Sequence, residues 1–204
     1  MTITPDLLEE LKKKYNHPDE NFSMEKQIVK ELLIEAMELL SKEDTLLRVD
    51  AQSVLFVGDT HGDLESTLSA LEAAIKRRVD KIVFLGDYVD RGPFQLGNIL
   101  LLLELKTNFS RWIYLLRGNH ETRRMNERYG FSRVVERSYG PGFYSLFEKA
   151  FANLSLALLF NNKILALHGG IPIPVVSVEE IARTPKELFD DELEKRNYVF
   201  QLLW

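Results

Sequence analysis

The sequence predicts an α/β protein built around a buried parallel sheet, and two patterns support this prediction. Short apolar runs of strand length, rich in branched and aromatic residues, each lead into a glycine-containing turn. These runs cover residues 54–57, 81–85, 112–116 and 164–167. Helical apolar spacing separates the first three runs, in residues 63–78 and 94–106. Because the strands are nearly continuous apolar runs, we expect helices on both faces of the sheet.

The residues before the first run have a different, helical pattern. Residues 1–16 predict a short helix that Thr4 can cap and that carries Pro5 in its first turn. Residues 24–43 predict a second helix, whose apolar residues recur at helical spacing at Ile28, Leu32, Ala36 and Leu39 or Leu40. We therefore divide the chain into an N-terminal helical appendage, residues 1–50, and a main domain, residues 51–204.

Between the third and fourth runs the pattern is mainly helical. Helical segments are expected near residues 120–129 and 141–152. Residues 154–160 can pair with residues 163–167 through a tight turn at Asn161-Asn162.

Composition excludes several classes of protein. The chain has 204 residues, 45% hydrophobic and 28% charged, enough for one domain that needs no disulfide staples. It contains no cysteine, which excludes disulfides, thiolate metal sites and a cysteine-nucleophile phosphatase. The net charge is −5 and no basic stripe is present, so nucleic-acid binding is not indicated. No signal-peptide core and no apolar run of about 20 residues is present, and we expect a cytoplasmic protein that does not bind membranes.

Polar residues follow all four apolar runs at the point where each run ends. In an open α/β sheet, ligands bind outside the carboxyl ends of the strands, so residues far apart in sequence are brought to one edge. Asp59 and His61 follow the first run. In an extended segment residues two apart point to the same side, so this pair can bind one ion. Oxygen plus imidazole suits Mn, Fe, Co or Zn better than Ca.

The second loop carries Asp87, Asp90 and Arg91. A carboxylate such as Asp87 can bridge two ions about 3.5–4 Å apart, the spacing of two-metal phosphoester hydrolysis. The planar guanidinium of Arg91 matches phosphate oxygens.

The third and fourth runs end in Asn119-His120 and in His168. Adjacent side chains tend to point apart, so we assign Asn119 to a second metal and His120 to a general acid oriented by Asp90. His168, at the end of the fourth run, is expected to bind the second metal. Each motif alone has a structural alternative: a turn or cap at Asp59 and Asn119, a surface ion pair between Asp90 and Arg91, or a structural histidine at position 168. Together the motifs favour a metal site.

The four motifs resemble the signature of the PPP family of serine/threonine phosphoprotein phosphatases in both order and spacing. They are GDTHG at 58–62, GDYVDRG at 86–92, RGNHE at 117–121 and HGG at 168–170. Residues 119–131 add a match that is most similar to the protein phosphatase 5 type. Glu121 resembles the protein phosphatases, because the related dinucleoside-polyphosphate hydrolases usually carry aspartate there.

The resemblance implies a βαβαβ-centred metallophosphoesterase β-sandwich flanked by helices, with residues 51–204 as the catalytic domain. It implies two divalent metal ions, Mn, Fe or Zn, with Asp87 shared between them. Asp59 and His61 would complete one site, and Asn119 and His168 the other. A water between the metals would attack phosphorus in line, Arg91 would hold the phosphate, and His120 with Asp90 would protonate the leaving oxygen.

The same resemblance implies that the chain is a fragment. In the family a similar Leu-Leu-Trp is followed by much more chain, which supplies another metal-ligand histidine, a second arginine and further strands of the second sheet. We therefore expect an incomplete second sheet. The substrate expected is a phosphoprotein or phosphopeptide, and the sequence does not reveal whether a regulatory subunit binds. Two other functions stay open: a phosphoesterase for nucleotides or dinucleoside polyphosphates, and a weakly active metal-binding fragment.

Overall fold

The computed structural model describes residues 3–204, apart from the side chain of Glu194. Its strands are β1 (Leu46–Val49), β2 (Val54–Val57), β3 (Lys81–Phe84), β4 (Ile113–Leu115), β5 (Ala157–Phe160) and β6 (Ile164–Leu167). Its helices are α1 (Pro5–Tyr15), α2 (Lys26–Leu40), α3 (Leu64–Arg77), α4 (Gln95–Asn108), α5 (Arg123–Tyr129), α6 (Phe131–Tyr139), α7 (Tyr144–Ala152), α8 (Val178–Ala182), α9 (Asp190–Lys195) and α10 (Asn197–Leu203). Within residues 3–204, no helix is both long enough and apolar enough to cross a membrane.

Two three-stranded sheets form the centre of the molecule. The first sheet has the order β2-β3-β4 and is entirely parallel, as the alternating strand and helix patterns predict. In the second sheet, of order β1-β5-β6, β1 is parallel to β5 and β5 is antiparallel to β6. A parallel bridge between Leu116 and Ser155 joins the end of β4 to the residues before β5. The predicted βαβαβ-centred sandwich flanked by helices is confirmed.

The expectation of helices on both faces of the parallel sheet is wrong on one face. Alternate side chains of β2, β3 and β4 point to opposite faces. Leu55, Ile82 and Ile113 pack against the helices, whereas Val83 packs against Leu158 in the second sheet. A buried face needs an apolar cover, and a second sheet meets that need as well as a helix layer does. The outer face of the second sheet is in turn covered by α8, α9 and α10.

Residues 1–50 are not helical throughout, because they contain β1. Its side chains alternate, with Leu47 facing the other sheet and Leu46 facing α8–α10. The two N-terminal helices share one hydrophobic core with α3 and α4. Thr4 caps α1 as predicted, since its hydroxyl accepts a hydrogen bond from the Leu7 amide at 3.3 Å. The functional division of the chain at residue 50 stays a prediction.

The buried face of α2 is shifted by one position from the predicted face at two of its four residues. Val29, Leu33, Ala36 and Leu40 are buried, whereas Ile28 is 47% exposed. Both apolar series have helical spacing, and packing against α4 and α7 buries the series that begins at Val29. The predicted hairpin is confirmed: β5 pairs with β6 through a turn in which Asn161 and Asn162 have φ of 51° and 52°. Asparagine tolerates this left-handed conformation better than most residues.

Candidate metal centre

Four loops bring the predicted ligands to one edge of the sandwich. Asp59, Asp87 and Asn119 follow the parallel strands β2, β3 and β4, so they lie at the carboxyl end of that sheet. His168 arrives from the other sheet. Because β5 begins beside the end of β4 and β6 runs back along β5, the end of β6 returns to the same edge. The structure thus brings all five predicted ligands together, although His168 does not come from the parallel sheet.

One group of ligand atoms forms around His168. Its Nδ1 lies 3.0 Å from the carbonyl oxygen of Leu85, which places the ring proton on Nδ1 and leaves Nε2 as an acceptor. That Nε2 lies 3.3 Å from Oδ1 of Asp87 and 3.0 Å from Oδ1 of Asn119. The Asn119 amide oxygen is also 3.2 Å from each Asp87 carboxylate oxygen. In this orientation of the amide, four atoms that can act as metal ligands therefore converge.

Such a group of acceptors fits a cation. Without one, the Asn119 amide would turn so that its NH₂ donates to His168 and Asp87. With one, the amide oxygen, the carboxylate and the imidazole nitrogen would all be ligands. This donor set of oxygen and nitrogen suits Mn, Fe or Zn. We therefore find that the residues present fit a metal ion at this position.

A second group forms around His61 and shares Asp87. The Nδ1 of His61 lies 2.9 Å from the carbonyl oxygen of Val89, so its Nε2 is also an acceptor. That Nε2 lies 3.4 Å from Oδ2 of Asp87 and 3.8 Å from Oδ2 of Asp59. Each Asp87 oxygen thus faces a different histidine, which is the arrangement that a bridging carboxylate requires. Asp59 is the most open member, with its side chain 53% exposed.

Charge in the cluster favours a cation at this position. Burial lowers the pKa of His168, but the hydrogen bond and charge of Asp87 raise it more, and the pKa lies above its ordinary value. Burial conversely raises the pKa of Asp87, and His168 lowers it to below the ordinary value. The cluster therefore attracts a proton onto His168, and a metal ion would compete with that proton.

His120 lies next to the ligand atoms and is held by Asp90. His120 Nδ1 is 2.8 Å from Oδ2 of Asp90, and both side chains are buried. Asn126 donates to the same Asp90 oxygen at 2.8 Å, and the Phe131 amide donates to the other at 3.1 Å. The Asp90 carboxylate is thus fixed on both oxygens, and the ring of His120 is oriented by it. One ligand-type atom of His120 also lies within 4.8 Å of those of His61 and Asp87.

Arg91 and Tyr129 border the open side of His120. Arg91 is exposed, and its Nη2 lies 3.5 Å from Nε2 of His120. Its guanidinium also lies over the Tyr129 ring, 5.4 Å from the centroid. The rings of His120 and Tyr129 are 4.9 Å apart. The guanidinium fork can therefore face an anion directly beside the imidazole. Tyr129 belongs to the accessory motif, but its place beside His120 could not be read from the spacing.

Several of these residues have an uncommon backbone conformation. Among residues 3–204, eight non-glycine residues have positive φ, and four of them are His61, Asp87, Asp90 and Arg91. Such strain persists only where the surroundings fix it, and it concentrates at functional sites. His61, with φ of 44°, also shows that residues 59–61 are not extended as the sequence argument assumed. A turn brings Asp59 and His61 together instead.

Glu121 joins the loop after β3 to the loop after β4 through hydrogen bonds to backbone amides. Its buried carboxylate accepts the amides of Asp87 at 2.7 Å, Tyr88 at 2.9 Å and Gly118 at 2.9 Å. Burial and the charge of Asp87 raise the pKa of Glu121 to about 7. Gly118 is required here because a Cβ would lie 2.2 Å from Oδ1 of Asp87. In the sequence analysis Glu121 served only to distinguish two families, and its role in binding these three backbone amides was missed.

Comparison with known proteins places the chain in a family. The model of the calcineurin-like phosphoesterases matches residues 53–204, so the chain belongs to that family. It is 35% identical to the serine/threonine-protein phosphatase 4 catalytic subunit of Eremothecium gossypii, over 87% of this chain and 56% of that protein. It is 37% identical to human serine/threonine-protein phosphatase 5, over 69% of this chain and 29% of that protein. The predicted resemblance to the serine/threonine phosphatases is confirmed.

A solved structure supports the same placement. A serine/threonine phosphatase from Saccharomyces cerevisiae with similarity to human phosphatase PP5 superposes with a TM-score of 0.84 and 26% identity. The alignment covers 96% of this chain and 64% of that chain. The chain spans about half the length of the phosphatase 4 relatives that it matches.

Proposed function

We propose that this chain hydrolyses phosphoserine and phosphothreonine esters in phosphoproteins, with two divalent metal ions as cofactors. One observation carries the proposal: a carboxylate shared between two groups of candidate ligand atoms lies directly beside a histidine that a buried carboxylate orients. These are Asp87, flanked by His61 and His168, and the His120–Asp90 pair. Family membership and the phosphatase relatives support the choice of substrate.

Asp59, His61 and Asp87 would hold one metal ion, and Asp87, Asn119 and His168 the other. Bound there, divalent ions supply positive charge to the phosphoryl oxygens and make water a stronger nucleophile at neutral pH. Manganese, iron and zinc are the metals that this donor set suits.

The chain's own residues supply binding and proton transfer. Arg91 presents two N–H groups to two phosphoryl oxygens beside His120. When water attacks phosphorus, the bond to the serine or threonine oxygen breaks and that oxygen keeps the electron pair. Protonated His120 would then donate its Nε2 proton to the leaving oxygen, because Nδ1 is engaged by Asp90. Asp90 holds the ring through Nδ1–H, and Asn126 fixes the carboxylate.

The test compares three substrates with added Mn²⁺: a phosphoserine peptide, an aryl phosphate and a dinucleoside polyphosphate. We expect turnover of the peptide and the aryl phosphate. Turnover of the dinucleoside polyphosphate alone would show the small-molecule alternative, and no turnover of any substrate would refute the proposal. We expect His120→Ala and Asp90→Asn to slow turnover by about 10²–10⁴-fold while metal content stays near that of the wild type.

His17→Ala is the matched control. His17 is exposed, and its ring Nε2 lies 3.1 Å from the Lys13 carbonyl oxygen, outside the four ligand loops, so loss of its side chain should not change turnover. Loss of metal in step with activity in His120→Ala would show that His120 is a ligand and not an acid. The cytoplasmic location expected from the sequence stays part of the proposal.

A further inference from the structure

Asp19 lies in the segment between α1 and α2 and binds the start of α4. It is buried, and its amide donates to the carbonyl oxygen of Pro93 at 2.7 Å. Its Oδ1 accepts the Leu96 amide at 2.9 Å, and its Oδ2 accepts the side-chain Nε2 of Gln95 at 3.1 Å. Phe94, at the cap position of α4, offers no side-chain hydrogen bond. Asp19 therefore caps α4 from a distant part of the chain.

Gln95 connects Asp19 to the loop that carries Asp90 and Arg91. Its Oε1 accepts the backbone amide of Asp90 at 3.0 Å. Asp90 and Arg91 have φ of 67° and 73°, so their conformation depends on contacts that fix it. A continuous chain of hydrogen bonds thus runs from Asp19 through Gln95 to Asp90, whose carboxylate orients His120.

The direction of the Gln95 amide is set by its two neighbours. A carboxylate can only accept, so Asp19 takes the NH₂ end of the Gln95 amide. A backbone amide can only donate, so Asp90 takes the oxygen end. Gln95 is also enclosed, because a Cβ at Gly62 would lie 2.8 Å from its Cγ. A reversed amide would therefore set like groups against Asp19 and against the Asp90 amide.

The residues on both sides of Asp19 pack directly against α4. A Cβ at Gly97 would lie 2.4 Å from the Tyr15 carbonyl oxygen, so the end of α1 is in direct backbone contact with α4. Phe22, on the other side of Asp19, is buried and also reaches Gly97, at 3.7 Å from that Cβ. The segment is therefore placed by packing on both sides of Asp19.

We propose that Asp19 is a positioning residue which, through Gln95, holds the Asp90–Arg91 loop in the shape that orients His120. The N-terminal part of the chain then contributes to turnover and not only to stability. This inference rests on the proposed function for its kinetic effect. The competing account is that Asp19 does no more than cap α4.

Asp19→Asn separates the two accounts. With its Oδ1 on the Leu96 amide the cap is kept, and an unchanged hydrogen-exchange rate of that amide identifies this orientation. Its NH₂, however, faces the NH₂ of Gln95, and Gln95 must turn its own NH₂ towards the Asp90 amide. The cap account predicts wild-type turnover. Our account predicts that kcat falls by about 10- to 100-fold through displacement of the loop, with metal content unchanged.

The double variant Asp19→Asn/Gln95→Glu restores the polarity. The Asn NH₂ donates to one Glu oxygen and the other Glu oxygen accepts the Asp90 amide, with the total charge unchanged. We expect kcat within about threefold of the wild type. Asp63→Asn is the matched control, because Asp63 also caps a helix, α3, through the Glu65 and Ser66 amides. Within residues 3–204, no hydrogen bond joins the Asp63 side chain to Asp90 or Gln95.

A second readout does not depend on turnover. Hydrogen exchange of the Asp90 amide should speed up by about tenfold or more in Asp19→Asn and return towards the wild-type rate in the double variant. Wild-type exchange and kcat in Asp19→Asn would overturn the inference, and so would a double variant that stays as impaired as the single one. If the wild type turns over no phosphoester, the proposed function fails, and the exchange rates still decide whether Asp19 holds the loop.

Discussion

The glycine that follows His168 allows the end of α10 to pack against the metal-ligand loop. Gly169 donates its amide to the Leu202 carbonyl oxygen at 2.8 Å. A Cβ at Gly169 would lie 2.2 Å from the backbone nitrogen of Trp204 and 2.7 Å from the Leu203 carbonyl carbon. These are backbone atoms, so they cannot rotate away. We predict that Gly169→Ala forces the loop and α10 apart by about 1 Å, since ordinary contacts begin near 3.5 Å.

This displacement has two expected costs. Overpacking of this kind destabilises by about 1–3 kcal/mol. A 1 Å movement would also break the contact of His168 Nδ1 with the Leu85 carbonyl oxygen, now 3.0 Å, and such supporting contacts are worth about 10–100-fold in metal affinity. Mn²⁺ affinity by calorimetry and urea unfolding without metal measure the two costs separately.

Gly170→Ala is the matched control for this prediction. A Cβ at Gly170 meets nothing closer than 3.9 Å, and neither glycine has a positive φ, so the two substitutions differ in packing alone. Gly170→Ala should leave Mn²⁺ affinity and stability near wild type. Equal effects from the two substitutions would refute the packing argument.

Two further predictions concern stability. Asn98 is fully buried and donates to the Thr60 hydroxyl at 2.9 Å and to the Tyr88 carbonyl oxygen at 2.8 Å. Asn98→Ala should therefore lower the free energy of unfolding, measured in urea, by about 2–4 kcal/mol. A loss below about 0.5 kcal/mol would contradict this. Lys186 donates to the Leu40 carbonyl oxygen, and burial lowers the pKa of its ammonium to about 8. Between pH 8 and 10.5 the unfolded chain therefore binds more protons than the folded chain does. Stability relative to Lys186→Met should therefore rise with pH across that window by about 1–2 kcal/mol after allowance for partial exposure, and a constant or falling difference would contradict the burial of this ammonium.

The parallel sheet was predictable because its signals are local. The runs that become β2, β3 and β4 are almost entirely apolar, and each is separated from the next by one helix. The strand β1 was missed because Leu46–Val49 is short and contains Arg48, and its partner β5 lies more than a hundred residues away. The family resemblance and the predicted hairpin implied a second sheet, but without β1 no local pattern indicated that it covers one face of the parallel sheet. Nonlocal pairing of this kind leaves no periodic signal.

The ligand-type residues were also predictable, because each follows a strand. The contacts that orient them were not. Gln95 and Asn126 reach Asp90 from two different helices, and neither has a sequence spacing that indicates this. Asp19 lies between the two predicted N-terminal helices, and no sequence pattern indicated its contact with α4. Side-chain contacts between distant segments depend on the packed structure and not on local pattern.

The central claim is that Asp87 is shared between two metal ions in this site, and Mn²⁺ titration followed by electron paramagnetic resonance tests it most directly. We predict two Mn²⁺ per chain with the signature of two coupled ions. We expect Asn119→Ala to retain one isolated ion and Asp87→Asn to weaken both. His17→Ala should bind as the wild type does. A wild-type protein that binds a single uncoupled Mn²⁺, or an Asp87→Asn variant that keeps the coupled pair, would contradict the claim.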